Sequence, residues 1–428
     1  VRTRDKILVL LLSIVALLLF WWGLTLYGLP RLALQVSRLL HPPERAVFLP
    51  QAELATAVEA TLAALTLTPP PSVTPSATAS PTVAGPTATL APSETPTPMP
   101  TPIPDEVILT GAVHEYEKMN NCGPATLSMA LTFWGWQGDQ LVLREVLRPN
   151  GYVDDKNVSP TEMVTYVNSQ TDWRALLRFN GRQETLKRLI AAGFPVLIEK
   201  GFEPPGEQWM GHYLLLTGYS DARERFIAQD SYIMADFPLP YADLAARWLD
   251  FNRPYVVVYP PEREAEVLAA LGSDADARAN LEAAVATAQV DSDSLTGRDR
   301  FFAFFNLGSS LVGLQRYPEA ALAYDQAYTI YPTLAEAERP WRMLWYQQGP
   351  YAAYYYAGRY PDVVQLANVT LSFLRDPGLE ESYYWRGLAR QALGDTAAAQ
   401  SDLERALWLN PGYDAAGAAL ATLATPVP

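Results

Sequence analysis

The first strong pattern along the chain is an unbroken apolar run. From Ile7 to Leu29 no charged residue occurs, and that length matches a helix crossing a hydrocarbon core about 30 Å thick. Arg2, Arg4 and Lys6 precede the run, and Trp21, Trp22 and Tyr27 cluster toward its far end, as interfacial aromatics do. The pattern predicts an uncleaved transmembrane anchor at residues 7–29 and a cytoplasmic N-terminus at 1–6. It implies a single-pass protein of the cell membrane, with the remainder extracytoplasmic. A juxtamembrane segment and stalk fill residues 30–104. In it, Leu54, Val58, Leu62 and Leu65 recur at helical spacing, a marginal helix without a partner. From Thr66 to Pro104 the chain is Pro, Thr, Ser and Ala, holds a third of all the prolines, and carries Glu94 as its one charge. Such a stretch cannot bury enough apolar surface to fold, and its prolines keep it extended. It reads as a stalk between membrane and globular domains.

Mixed patterning takes over at residues 105–261. Leu127, Ala130, Leu131 and Trp134 lie at i, i+3, i+4 and i+7, one buried face of a helix that starts near Cys122. Ser159, Pro160 and Glu162 form a capping-box pattern, with Met163, Tyr166 and Val167 as the apolar face behind it. "RQETLKRLIAAGFPVLIEKG" predicts a helix stopped by Gly193 and then a strand. "HYLLLTGY", "RFIAQDSY" and "PYVVVYP" predict three more strands. Helices followed by an antiparallel sheet indicate an α+β domain.

Residues 275–424 are helical and repetitive. Gly308, Tyr317, Ala320, Tyr324, Ala327 and Pro332 mark one unit, and Gly387, Ala399, Leu403, Ala406 and Pro411 another. This resembles the tetratricopeptide repeat, in which small residues stand where two helices touch and proline follows the second helix. "YYYAGRYPDVVQLANVTL" is a weaker unit between them, after an insertion around Pro340 to Pro350, and "DARANLEAAVATAQ" is expected to cap the stack. Three units approach the minimum for an all-α solenoid, whose groove takes a protein or peptide partner. The aromatic "PYAAYYYAGRYP" reads as solenoid core.

Composition narrows the chemistry. The net charge is -14 over 428 residues and the pI is about 4.8. No basic stripe is present to bind nucleic acid. No GxxxxGKS loop is present, so ATP is not expected. Cys122 and the widely spaced His41, His114 and His212 do not suggest a metal site, and no cofactor is implied. Asp154, Asp155 and Asn157 read as a polar loop, and His114 as a surface residue.

Cys122 is the only cysteine. It precedes Gly123 and Pro124 at a helix start, where unpaired amides and the helix dipole favour a thiolate. Gly123 permits close approach of a substrate backbone. If the turn after "HYLLLTGY" is centred on Asp221, His212 falls opposite Asp230, with Cβ atoms about 5 Å apart. Asp230 then holds the imidazole while its other nitrogen faces the thiol. Asn252 is a weaker orienting candidate. Trp209 and Gly211, beside His212, are candidates for a substrate cleft.

"NNCGPATLSMAL", "GHYLLLTGY" and "AQDSY", in that order, resemble family 39 of the cysteine peptidases, papain-like domains best known from bacteriocin-processing transporters. The resemblance covers Thr110 to Tyr259. It implies a papain-like α+β fold in which Cys122 is nucleophile, His212 general base and Asp230 its orienter, acting on a peptide or protein substrate. Two departures follow. This chain has no transporter or ATPase part, so a double-glycine leader is not implied as substrate. The family also places a glutamine five or six residues before the cysteine as oxyanion donor. Here those positions are Glu117 and Tyr116, leaving Tyr116, Asn120 and Asn121 as neutral alternatives. Three functions are therefore expected in turn: a membrane-anchored peptidase with a binding repeat, a catalytically silent peptide-binding module, or a Cys-His amidase or transpeptidase of cell-wall bonds.

Overall fold

The computed structural model describes residues 47–51, 56, 103–149, 157–373 and 377–424. The expected anchor at 7–29 lies outside these residues. So do the helix at 54–65 apart from Thr56, the Pro-rich tract up to residue 102, and Asp154 and Asp155. No helix among the described residues is long and apolar enough to cross a membrane.

The first part of the described chain is α+β. Its strands are β1 (Glu106–Ile108), β2 (Arg174–Arg178), β3 (Val196–Phe202), β4 (Met210–Ser220), β5 (Arg225–Gln229), β6 (Phe237–Pro240) and β7 (Tyr255–Tyr259). They lie in the order β2-β7-β3-β4-β5-β6, with β1 added to β4, and every pair is antiparallel. Helices α1 (Cys122–Phe133), α2 (Gln140–Leu147) and α3 (Pro160–Gln170) cover one face. Helices α4 (Gln183–Ala191), α5 (Tyr241–Trp248) and α6 (Glu264–Leu271) cover the other. Side chains alternate across a strand. Leu197, Tyr213 and Leu215 therefore pack with α1, while Val196, Ile198, Leu214 and Leu216 pack with α4. Two covered faces explain why the central strands read as continuous apolar runs.

Local chemistry follows the sequence closely. Ser159 Oγ accepts from the Glu162 amide at 3.2 Å, and the Glu162 carboxylate accepts from the Ser159 amide at 2.8 Å. Gly193 ends α4 at φ +87°, a conformation that glycine adopts without a Cβ penalty. The strands β1, β2 and β6 were not anticipated. They are short, and β6 (FPLP) carries two prolines and pairs only with β5 at the sheet edge, where a missing amide donor costs little.

The second part is helical: α7 (Ala277–Ser294), α8 (Gly297–Gly313), α9 (Tyr317–Ile330), α10 (Gly349–Tyr356), α11 (Tyr360–Ser372), α12 (Glu380–Ala392), α13 (Thr396–Leu409) and α14 (Asp414–Ala424). Gly308 faces the Tyr324 ring so closely that a Cβ would stand 2.7 Å from it, and Gly387 faces Leu403 with 3.0 Å. These glycines let the paired helices touch. Arg359 is buried between two carboxylates. It gives two hydrogen bonds to Asp325, at 2.6 and 3.0 Å, and one to Asp362 at 2.7 Å.

The two parts share a core. Trp209, Leu249 and Phe251 from the sheet region pack with Phe301, Phe302 and Phe305 of α8. Asn306 Nδ2 donates to the Leu249 carbonyl at 2.6 Å. From the insertion between α9 and α10, Trp341 Nε1 donates to Gln208 Oε1 at 2.8 Å.

Candidate active site

Cys122 is the first residue of α1 and is buried. The side chain of Gln140, at the start of α2, makes four hydrogen bonds to the loop leading to Cys122. Its amide nitrogen donates to the Tyr116 carbonyl (2.9 Å) and to Glu115 Oε2 (3.0 Å). Its oxygen accepts from the Lys118 amide and from Asn121 Nδ2, both at 2.8 Å. An amide offers two donors and two lone pairs, and all four are used here. The loop turns at Asn120, φ +53°. Gly123 sits where a Cβ would meet the Val158 Cβ at 3.2 Å. Its smallness serves packing against the segment before α3.

His212 lies on β4, and its Nε2 stands 2.9 Å from Asp230 Oδ1, both residues buried. The expected pairing directly across the hairpin is not the one observed. Near the turn Ser220 pairs with Arg225, and beyond a bulge Leu216 pairs with Ala228 and Leu215 with Gln229. Extending that register sets Asp230 opposite Leu214, two residues from His212. The extra residue in the bulge is Thr217. Without it the register would differ from the expected one by an odd number and put the two side chains on opposite faces. With it they are diagonal neighbours on one face, within reach of long side chains. Asp230 Oδ1 also accepts from the amides of Tyr232 (2.9 Å) and Ile233 (3.0 Å). The imidazole stacks on Phe202, centroids 4.7 Å apart.

The third neighbour is Glu117. A carboxylate oxygen of Glu117, the Cys122 sulfur and a ring nitrogen of His212 all lie within 4.8 Å of one another, and Glu117 Oε2 is 3.9 Å from His212 Nδ1. Ser231 holds that carboxylate, its Oγ donating at 2.6 Å and its carbonyl accepting from the Glu117 amide at 3.0 Å. Burial pushes the Glu117 pKa above the ordinary carboxylate range, against the pull of His212 and the Ser231 hydroxyl. The expected lowering of the Cys122 pKa is not found. Burial raises it, the Glu117 carboxylate raises it further, and the Tyr213 and Gly123 backbone only partly oppose this. Burial disfavours the Asp230 carboxylate too, but its hydrogen bond and attraction to His212 and the two amides bring its pKa below the usual value.

The other candidates fall elsewhere. Asn121 is fully buried, and its amide gives one donor to Gln140 at 2.8 Å. Asn120 is exposed. Tyr116 is 61% exposed and packs edge-on to His114 at 4.9 Å. Trp209 is buried and donates to Asp250 at 2.8 Å, so it lines no cleft. A Cβ on Gly211 would come within 2.7 Å of the Phe251 and Tyr346 rings, so that glycine admits the helical part, where a substrate was expected. Asn252 donates to Ser310 Oγ at 2.8 Å and does not orient His212. Two groups among the described residues have donor atoms close enough for a divalent cation: Glu117, Cys122 and His212, and a second formed by Glu162, Glu380 and Glu381.

A cavity of about 820 Å³ opens between the α+β and helical parts, lined by Glu162, Glu199, Glu380, Glu381, Tyr346 and Tyr413 among others. No Lys, Arg or His lines it, and neither Cys122 nor His212 does. No local pattern marks Gln140, Ser231 or Tyr346. Each acts through a contact between segments distant in the chain.

Residues 109–255 match the Peptidase_C39 like family. Residues 380–413 match the tetratricopeptide repeat, so the C39-like region is followed by at least one recognised repeat. Among solved structures, a C39-like peptidase from Bacillus anthracis is similar at 16% identity and TM-score 0.31, covering 36% of this chain and 98% of that one. The first tetratricopeptide domain of Spaghetti (RPAP3), bound to an HSP90 peptide, is similar at 21% identity and TM-score 0.24, covering 29% of this chain and 89% of that one. No curated protein matches the chain.

Proposed function

We propose that this chain is a membrane-anchored, extracytoplasmic cysteine peptidase whose helical repeats bind a partner or substrate. The observation that carries the reading is the buried cluster in which a His212 nitrogen lies within 4.8 Å of the Cys122 sulfur while Nε2 is held by Asp230 at 2.9 Å. With Nε2–H donating to Asp230, Nδ1 is the free base. It takes the thiol proton, the thiolate attacks a peptide carbonyl, and the imidazolium returns the proton to the leaving amine. Water then cleaves the thioester. The burial of Cys122 fits a thiol that ionises only as an ion pair with His212.

Glu117 supplies the oxyanion donor as a protonated acid. Its raised pKa supports this role, because a neutral carboxyl donates where a carboxylate repels. The acidic cavity lies apart from Cys122 and His212; as a subsite away from the scissile bond it suits a peptide carrying cationic side chains and counts against an anionic cell-wall substrate. The anchor at residues 7–29 holds the chain at the membrane.

The test is selective alkylation in the full chain. Cys122 should react faster than a free thiol of equal burial, and His212→Ala should slow it at least about tenfold. Equal rates in both variants sink the assignment of His212 as base. A second reading, a peptide-binding module without turnover, is favoured by Glu117 itself should its carboxyl stay ionised. It calls for normal alkylation with no cleavage at any pH.

A further inference from the structure

The segment just before the Pro-rich tract is not solvated. Phe48 is only 3% exposed. Its ring meets Tyr328 of α9 edge-on at 4.9 Å and Tyr354 of α10 at 5.9 Å. Three residues later the Gln51 amide donates to Asp362 Oδ1 of α11 at 3.0 Å, across 311 positions of sequence. Val47 packs against the same core, while Leu49 is 54% exposed. That in-and-out pattern is how an extended peptide lies on a surface.

We propose that the pocket between α9, α10 and α11 is a binding site for an extended peptide anchored by one aromatic side chain, and that residues 47–51 occupy it in cis. The site is built for the purpose. Tyr328 and Tyr354 give aromatic walls that accept an edge-on ring. The acceptor for the backbone amide is fixed in advance, because Arg359 Nε holds the other Asp362 oxygen at 2.7 Å. Arg359 is in turn locked to Asp325, and Tyr354 Oη donates to that same Asp325 at 3.0 Å. One ion-pair network thus orients both the ring wall and the carboxylate. Recognition of a ring plus a backbone amide selects a peptide class rather than one sequence.

The topology gives the occupancy a consequence. Gln51 is bound to the helical part and β1 pairs with β4 of the sheet, so the chain between them, which includes the Pro-rich tract, has both ends on one folded body. While the pocket is filled, the chain joining those two points begins and ends on the same body. A partner peptide of the same chemistry exchanges with the segment and frees the first of those ends. The inference is independent of the chemistry at Cys122.

The test uses the full chain in detergent, with a site-specific protease sequence inserted between Ala84 and Gly85 and a tag at the C-terminus. After cutting, the N-terminal piece should be co-recovered with the body. Phe48→Asp should release it, as loss of one buried aromatic weakens binding roughly 10- to 100-fold. Gln51→Pro, which removes only the amide donor and leaves the core untouched, should weaken recovery about tenfold. A synthetic peptide AVFLPQ should chase the N-terminal piece, and the same peptide with Asp in place of Phe should not. Separation of the pieces without any substitution overturns the proposal. So does retention in the Phe48→Asp chain whose thermal unfolding is unchanged.

Discussion

Replacing Glu117 by glutamine exchanges a carboxyl for an amide of the same shape between the thiol and the imidazole. In the folded chain Glu117 is 3.9 Å from His212 Nδ1 and within 4.8 Å of the Cys122 sulfur. With an effective dielectric of about 20, an ionised Glu117 attracts the imidazolium by about 4 kcal/mol and repels the thiolate by about 3 kcal/mol. The two nearly cancel for the ion pair, so alkylation of Cys122 should change less than about tenfold. The tetrahedral intermediate is different. At about 3 Å from an oxyanion the repulsion grows to about 5–6 kcal/mol, some 2 kcal/mol more than the thiolate felt, or about thirtyfold in rate. A donated amide hydrogen bond adds to this, since one oxyanion donor is worth about 10²- to 10³-fold. We expect kcat/KM of Glu117→Gln to exceed wild type by at least about 10²-fold near pH 7.5. Burial raises the Glu117 pKa, so the active protonated form exists below that pKa and is lost as pH rises through it. The variants should therefore converge in acid, and only the wild-type profile should fall on the alkaline side. The assay is the pH dependence of hydrolysis of one fluorogenic peptide. A ratio that stays the same from about pH 5 to about pH 7.5, or a slower glutamine variant at both, refutes the role given to Glu117.

Asp230→Ala should cost about 10²- to 10³-fold in kcat, whereas Asp230→Asn should keep most activity, because an amide oxygen still accepts from Nε2; equal losses would mean that the charge matters more than the tautomer. Gly211→Ala forces a Cβ to within 2.7 Å of the Phe251 and Tyr346 rings. It should lower stability by about 1–3 kcal/mol, and adding Tyr346→Ala should recover part of it in thermal melts. Asp325→Ala removes two of the three hydrogen bonds of the buried Arg359 and should cost about 3–5 kcal/mol in denaturant unfolding, while replacing Arg359, Asp325 and Asp362 together by apolar residues should be nearly neutral.

The α+β region, the repeats and the order Cys, His, Asp were legible because each rests on local pattern: period-two strands, paired small residues in helices, a capping box at Ser159. What escaped the sequence depends on tertiary contact. The bulge at Thr217 decides which face Asp230 takes, and its one mark in "HYLLLTGYSDARERFIAQD" is Gly218 beside it, an isolated glycine in a strand that does not say which side the extra residue lies. The thiol pKa was misjudged because the helix start argued for a thiolate, while burial and Glu117 argue more strongly against one. Trp209, Gly211 and Asn252 looked like site residues by their nearness to His212 or the last strand. They instead join the α+β part to the helices, a union that no residue-by-residue reading reveals. The docking of Phe48 was equally hidden, because its partners are some 300 residues away.

The central claim is that Cys122 cleaves peptide bonds. Its most direct measurement is mass-spectrometric profiling of a diverse peptide library incubated with the full chain from about pH 5 to about pH 8, in parallel with Cys122→Ala. The expected result is a set of cleavages made by the wild-type chain, strongest in acid, all missing with Cys122→Ala. Cleavages shared by both chains, or none with either, would contradict it.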